Sequence, residues 1–440
     1  MSRLARLRTL DRPLVRVLAA NCSARVVAIL GLAAATVAVA RIGGPADVGA
    51  YALLRMLPGL VGVLCVGGLP GALAYFLAEP RRDTPRLWPT VLAILAGGSV
   101  LGMLVWLVLT PLMARTFFPG DSVATVAWAS VTVASQLLLT VGKTSLQGLS
   151  DRRGGDLVIA AEEVAFLPCY LLVVLLGVGG APALVLALAL ADLAVAVEAW
   201  RRVAAHTRSR SGARLRFAAP RRDLAREILV YGVRGQVGGM ITLLNLRLDF
   251  GVLGALAGPA VLGSYAIASK YAELLRLPGT ALTWVCYPML AGMTPAAATR
   301  QARRLIGPAV LGNVLLAGPF VLLAGPVIGL LYGSRFDSAV GPARVLVLGM
   351  LLGAAGGVAS GYLYGRGRPG LNSWALGTGL VVTVVLDLLL IPRYGAMGAA
   401  IASTVTYLLA DGALLVMQRK VGGRPEPERA EAVPSVQVPT

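Results

Sequence analysis

Apolar residues run through this chain in long blocks, each about the length a helix needs to cross a bilayer, and polar residues gather in the short gaps between them. Read at Pro, Gly and charge punctuation, the pattern predicts twelve spans: 21–42, 48–78, 88–114, 122–149, 157–177, 182–200, 228–256, 260–292, 304–331, 339–364, 371–391 and 396–418. The second and eighth are longer than a straight crossing requires. Pro58 and Pro70 in one, Pro278 and Pro288 in the other, are expected to bend them.

The pattern also repeats. Gly44-Pro45-Ala46-Asp47-Val48-Gly49-Ala50-Tyr51-Ala52 returns as Gly258-Pro259-Ala260-Val261-Leu262-Gly263-Ser264-Tyr265-Ala266, each copy between two apolar blocks. Gly148-Leu149-Ser150 and Gly179-Gly180-Ala181 find counterparts at Gly365-Arg366-Gly367 and Gly395-Ala396-Met397, at an offset of 214 to 217. An all-α polytopic membrane protein follows, built as two repeat-related six-helix bundles. The expected boundaries are an N-terminal lobe at 1–200, a basic linker at 201–227, a C-terminal lobe at 228–418 and a disordered tail at 419–440.

Composition agrees with lipid as the main solvent: 57% of residues are hydrophobic, 14% are charged and the mean hydropathy is +0.77. The formal net charge of +19 would suggest nucleic acid in a soluble chain, but here its placement matters more. Alternate gaps hold Arg81, Arg82 and Arg86, then Arg152 and Arg153, the run from Arg201 to Arg226, Arg300, Arg303 and Arg304, and Arg366 and Arg368. The intervening gaps hold Arg41, Arg115, Arg335, Arg344 and Arg393. Basic residues collect on the cytoplasmic side, so both termini and the linker are expected there, and the basic leader before Asn21 opens the first span instead of a signal peptide.

Ionisable residues within spans are costly and mark candidate sites. The cations are Arg25, Arg55, Lys143, Arg234, Arg247, Lys270 and Arg276; the anions set against them are Asp192, Glu198, Asp249, Glu273, Asp387 and Asp411. Arg55 follows Tyr51 by four residues and Lys270 follows Tyr265 by five, which places cations at similar depth on related helices. Arg25, Arg55, Lys270 and Arg247 are therefore the candidate binders of an anionic head such as a pyrophosphate. Plain structural roles stay open beside this: Arg25 and Arg234 are near enough to span ends to snorkel, and Arg247 has Asp249 two residues on. Asn245, Asp249 and Glu273 are the candidate coupling or charge partners, and Gly44, Pro45, Gly258 and Pro259 the candidate hinge or rim. The single histidine, His206, falls in the linker, the four cysteines lie unpaired in apolar blocks, and no phosphate-cradling loop or metal-ligand spacing occurs. No cofactor, metal, nucleic-acid partner or catalytic activity is expected, and drive must come from an ion gradient, the membrane potential or the cargo gradient.

Two halves of six spans, Arg41-Ile42-Gly43-Gly44-Pro45 before Gly49-Ala50-Tyr51, and Tyr265-Ala266 running through Lys270, Glu273-Leu274, Leu277-Pro278 and Pro288-Met289-Leu290 resemble the oligosaccharide flippases of the multidrug/oligosaccharidyl-lipid/polysaccharide exporter superfamily. The resemblance implies a MATE-like, V-shaped pair of bundles around a basic central cavity, working by alternating access. It implies as cargo an undecaprenyl-pyrophosphate-linked oligosaccharide for polysaccharide or lipopolysaccharide biosynthesis in the bacterial plasma membrane. Implied partners are membrane lipids, H+ or Na+, and transient contact with polymerase machinery, with the protein a monomer. Arg25 and Arg55 are similar in span position to cavity arginines of the related lipid II flippases, whose two further spans have no counterpart here. Other readings are a multidrug or small-molecule antiporter of the same superfamily, disfavoured by the excess of cations, and a membrane glycan polymerase or ligase, disfavoured by short outward gaps. A scaffold or teichoic-acid-type exporter completes the set.

Overall fold

The computed structural model describes residues 12–78, 84–211, 215 and 219–422, and is helical almost throughout, with no strand among them. The helices are α1 (Arg12–Ile42), α2 (Pro45–Cys65), α3 (Leu69–Ala78), α4 (Thr84–Thr116), α5 (Val123–Trp128), α6 (Ser130–Gly148), α7 (Arg152–Val164), α8 (Phe166–Leu175), α9 (Gly180–Ser211) and α10 (Arg222–Ala257). They continue as α11 (Pro259–Glu273), a 3-10 turn at Leu274–Arg276, α12 (Leu277–Ala291), α13 (Pro295–Tyr332), a 3-10 turn at Ser334–Ala339, α14 (Val340–Gly349), α15 (Gly353–Gly365) and α16 (Pro369–Gly422).

Among the described residues, eight helical stretches are long and apolar enough to cross a bilayer, or nine when the pair bent by 42° at the α14–α15 break is one span. The gap from twelve has physical sources. α16, at 54 residues, is bent at Gly395 (φ 54°, ψ −129°) between the two blocks that predict separate spans, 371–391 and 396–418. α10 lies where span seven is expected, with the side chains of 237–246 outside the described residues, and α11 and α12, where span eight is expected, are 15 residues each, parted by a 3-10 turn amid Lys270, Glu273 and Arg276.

Breaks within spans fall at glycines more than at the expected prolines. Pro58 sits inside a continuous α2, and the second span turns instead at Gly67 (φ 60°) and Gly68 (φ 74°), a left-handed pair that β-carbon-bearing residues resist. Pro70, second in α3, occupies the first turn, where its missing N–H costs nothing. The eighth span tightens into its 3-10 turn just before Pro278. Ser122 caps α5 by accepting from Thr125 N–H at 3.1 Å, and Asp151 caps α7 by accepting from Gly154 N–H at 2.9 Å.

The chain packs as two compact units. The first comprises residues 1–267, 325–340 and 387–399. Tyr51, Trp88, Trp106, Phe166, Tyr170 and Tyr265 are almost fully enclosed in it, and Trp106 and Trp200 satisfy their indole N–H groups on the carbonyls of Val126 (2.7 Å) and Leu138 (2.9 Å). The second comprises 268–324, 341–386 and 400–440. Its core gathers Cys286, Leu290, Ala302, Val358 and Tyr362, with Thr283 Oγ1 donating to Gly357 O at 3.1 Å and Thr299 paired with the Tyr362 hydroxyl at 2.9 Å. Large apolar side chains face outward, Val108 at 79% and Leu175 at 84% exposure, as a lipid-bathed surface requires.

Inside the first unit the repeated motif meets itself. Gly44 (φ 85°, ψ −166°) and Gly258 (φ 83°, ψ 169°) adopt the same backbone state, open essentially to glycine alone, and each hands the chain to a proline that opens a helix. The first turns of α2 and α11 then touch backbone to backbone. A β-carbon on Gly49 would stand 1.9 Å from Pro259 O, and one on Gly263 would stand 1.9 Å from Pro45 O. Close by in sequence, Ser338 Oγ donates to Ser264 Oγ at 3.0 Å, and Arg41 reaches from the end of α1 to the last carbonyls of α13, with Nε 2.9 Å from Leu331 O and Nη2 on Leu330 O.

Candidate functional site

Arg55 lies nearly three turns into α2, one turn after Tyr51, so both project to the same side. Its guanidinium grips Glu163, in the last turn of α7, as a two-pronged fork: Nη1 to Oε2 and Nη2 to Oε1, both at 2.7 Å. Nη1 also donates to the Tyr51 hydroxyl at 3.0 Å, and the Tyr51 ring packs on Phe166 with centroids 4.5 Å apart. The pair is partly shielded, with side-chain exposures of 27% for Arg55 and 19% for Glu163. Its attraction is therefore stronger than on an open surface, and removing either partner is correspondingly costly.

α7 carries the counter-charges of this region. Lys143 of α6 meets Glu162 at 2.5 Å, and Asn21 of α1 donates to Asp156 at 2.6 Å while accepting from Arg25 Nε at 3.0 Å. Three acids on one short helix thus take groups from three other helices. Glu163 and Asp156 are absent from the residues that sequence reasoning singles out. The usable signal is their spacing, i and i+7, which places two carboxylates on one face of an otherwise apolar helix, with Glu162 beside them.

Elsewhere in the first unit, Asp249 of α10 is 4% exposed; its Oδ2 accepts from the Tyr265 hydroxyl at 2.6 Å and its Oδ1 from Phe250 N–H at 2.9 Å. Both tyrosines of the repeated motif thus meet a charged group, Tyr51 a cation and Tyr265 an anion. Arg247 stands over the Phe250 ring, 5.0 Å from its centroid. Asp387, in the first arm of α16, is wholly buried, and neither of its oxygens has a hydrogen-bond partner among the described residues. It lies within electrostatic reach of Asp249. The side chain of Asn245 falls outside the described residues.

Lys270 and Glu273 belong to the second unit, at the end of α11, where Ser269 Oγ donates to Glu273 Oε1 at 3.4 Å. The 3-10 turn that follows carries Arg276 off the α-helical register and over the Tyr407 ring at 5.6 Å, within electrostatic reach of Asp411. Arg25, Arg55, Arg247 and Asp249 all belong to the first unit. Among the described residues no three His, Cys, Asp or Glu side chains are grouped to hold a metal ion.

Comparison with known proteins narrows the field. A family model described as polysaccharide biosynthesis protein matches residues 38–341. An uncharacterized membrane protein of Methanocaldococcus jannaschii, MJ1068, is 22% identical over 193 residues, 43% of this chain and 38% of that protein. The probable low-salt glycan biosynthesis flippase Agl15 of Haloferax volcanii is 21% identical over 181 residues, 40% of this chain and 38% of that protein. The matched stretch therefore spans less than two-fifths of either relative's length. Among solved structures, the lipid II flippase MurJ in an inward closed conformation superposes with a TM-score of 0.74 at 12% identity, covering 92% of this chain and 87% of that one. An inward-facing multidrug resistance MATE family transporter of the MOP superfamily gives 0.71 at 16% identity, covering 89% and 94%. The fold is MATE-like.

Proposed function

The chain belongs to the polysaccharide biosynthesis protein family, and from that premise we propose that it is a flippase carrying an undecaprenyl-pyrophosphate-linked oligosaccharide across the bacterial plasma membrane by alternating access. The observation that carries the proposal is the Arg55–Glu163 fork within a lipid-bathed helical unit. A guanidinium that fits a carboxylate in two places fits phosphate oxygens the same way. Glu163 then occupies the place of the cargo's anion while the protein is empty, and Tyr51 keeps the guanidinium aimed.

Arrival of a pyrophosphate exchanges one partner of Arg55 for another. The released Glu163 would be a poorly hydrated charge, so its release is accompanied by uptake of a proton or a monovalent cation. Asp387 and Asp249 support a second coupling locus: a wholly enclosed carboxylate without a hydrogen bond, near another acid, requires the same kind of companion. Arg25 and Arg247, in the same unit, are proposed as further cations for the same anion, Asn245 as a charge partner, and Gly44, Pro45, Gly258 and Pro259 as the rim where closure occurs, with Lys270 and Glu273 a cation and charge partner within the second unit.

The test is transport of a lipid-linked oligosaccharide in sealed vesicles containing purified protein. Arg55→Ala is expected to cut the rate at least about tenfold, the equivalent of losing ~1.4 kcal/mol of interaction, while Arg55→Lys keeps charge but loses the fork and falls between. Transport that continues unchanged in normally folded Arg55→Ala would overturn the proposal.

A further inference from the structure

We propose that the first turns of α10, with the aromatic end of α3, form a separate docking station for the glycosyl-pyrophosphate head of a lipid-linked glycan, distinct from the Arg55 site. The inference rests on the flippase reading above. An open pocket of about 810 Å³ is lined there by Arg226, Glu227, Val230, Tyr231 and Arg234, with Asp223 at its edge. Arg226, Val230 and Arg234 recur every four residues, so one face of α10 presents a ladder of two cations, with Tyr231 beside the middle rung.

The aromatic wall is built. Tyr231 stacks flat on Tyr75 of α3, with centroids 4.6 Å apart and planes 16° from parallel, and Phe76 stands edge-on to both at 5.5 and 5.7 Å. α10 is locked against the α2–α3 junction beneath it, since a β-carbon on Gly68 would stand 2.3 Å from Gly232 O, and Gln236 Nε2 donates to Val63 O of α2 at 3.2 Å. Tyr75 and Tyr231 nevertheless remain 49% and 42% exposed. Rings that are fixed yet uncovered give a sugar a rigid surface to lie on at little entropic cost.

Tyrosine and arginine at a span end also serve as ordinary anchors among phospholipid headgroups. The fixed geometry of the rings speaks against that occupant. An anchor is a single side chain that follows the headgroups, whereas Tyr75 and Tyr231 are held stacked on each other, with exposed faces suited to a sugar and two arginines nearby suited to donate to a pyrophosphate. The ligand class that uses both the rings and the arginines of this wall is a pyrophosphate bearing sugar.

The experiment is binding, not transport. Full-length protein in nanodiscs, of zwitterionic lipid or with added phosphatidylglycerol, is titrated with a short-chain prenyl pyrophosphate carrying a disaccharide, and with the same prenyl pyrophosphate lacking sugar. Tyr231→Ala is expected to weaken the glycosylated probe about tenfold and leave the bare one unchanged, Tyr231→Phe to bind as wild type, and Arg234→Gln to weaken both. These losses persist in an Arg55→Ala background, and phosphatidylglycerol leaves wild-type affinity in place. Affinity abolished by phosphatidylglycerol would give the pocket to bulk lipid and overturn the station. Unchanged affinity in both Tyr231→Ala and Arg234→Gln, with binding lost in Arg55→Ala, overturns the station alone. A wild-type protein that takes neither probe overturns the flippase reading as well.

Discussion

Replacing Gly49 by alanine isolates the contact between the two copies of the Gly-Pro motif. The new β-carbon would lie 1.9 Å from Pro259 O, with Pro259 C at 2.7 Å and Cα at 3.0 Å, so backbone, not a flexible side chain, must give way. Carbon–oxygen contacts in proteins settle at about 3.3–3.6 Å, so the first turns of α2 and α11 must part by about 1.5 Å. Alanine in mid-helix gains ~1 kcal/mol over glycine. Overpacking costs ~1–3 kcal/mol, and rigid backbone on both sides puts this case at the upper end. The net is a loss of about 1–2 kcal/mol from the touching arrangement, or a shift of about 5- to 30-fold against it.

The reciprocal Gly263→Ala, against Pro45 O at 1.9 Å, should cost the same, and the double variant less than the sum, because one separation relieves both clashes. Spin labels at exposed Ala46 and Ala260, in a chain otherwise free of cysteine, report the separation by pulsed electron resonance. The unsubstituted chain should give one short distance, and either alanine a second, longer population. Gly44→Ala is the control: it strains the backbone at φ 85° but meets nothing nearer than Arg335 at 3.7 Å, so it should lower stability without the same separation. Distances unchanged in Gly49→Ala and Gly263→Ala would refute the contact.

Glu163→Gln should weaken the grip on Arg55 and lower the unfolding midpoint by several degrees, a loss of ~1–3 kcal/mol for a partly shielded pair; added prenyl pyrophosphate should restore more of the midpoint in this variant than in the unsubstituted protein. Asp387→Asn should leave the midpoint unchanged or raise it, because it replaces an acid that has no hydrogen-bond partner, while flattening the dependence of transport on sodium and pH, measured across vesicle buffers. Tyr265→Phe should cost ~1–2 kcal/mol through the hydrogen bond lost from buried Asp249, read as a lower midpoint in thermal unfolding.

The duplication was legible because it is written in residues whose backbone demands are rare: Gly44 and Gly258 both need positive φ before a proline, and both have it. Arg55, Arg247 and Asp249 were legible because charge is scarce among apolar neighbours. Glu163 was not, since its pairing joins residues 108 apart and nothing local to either announces the other. The bends were misread for a related reason. Pro58 has the sequence signature of a kink, but it sits within an unbroken helix, and the chain turned where two adjacent glycines made turning inexpensive. Asp387, which the sequence shows only as one of the span anions, is enclosed with no hydrogen-bond partner among the described residues, which only packing reveals.

The fork between Arg55 and Glu163 also sets an electrical count. Empty, it contributes no net charge. With the proposed cargo loaded, the guanidinium would face a pyrophosphate diester with two negative charges while the carboxylate carries a proton, and the assembly would be singly negative. A singly negative particle leaving the interior of a polarised cell descends the potential, gaining about 2.3 kcal/mol for each 100 mV. On that count the voltage alone favours export and leaves the unladen return stroke indifferent to it, and one glutamate decides whether each turnover moves one elementary charge or two.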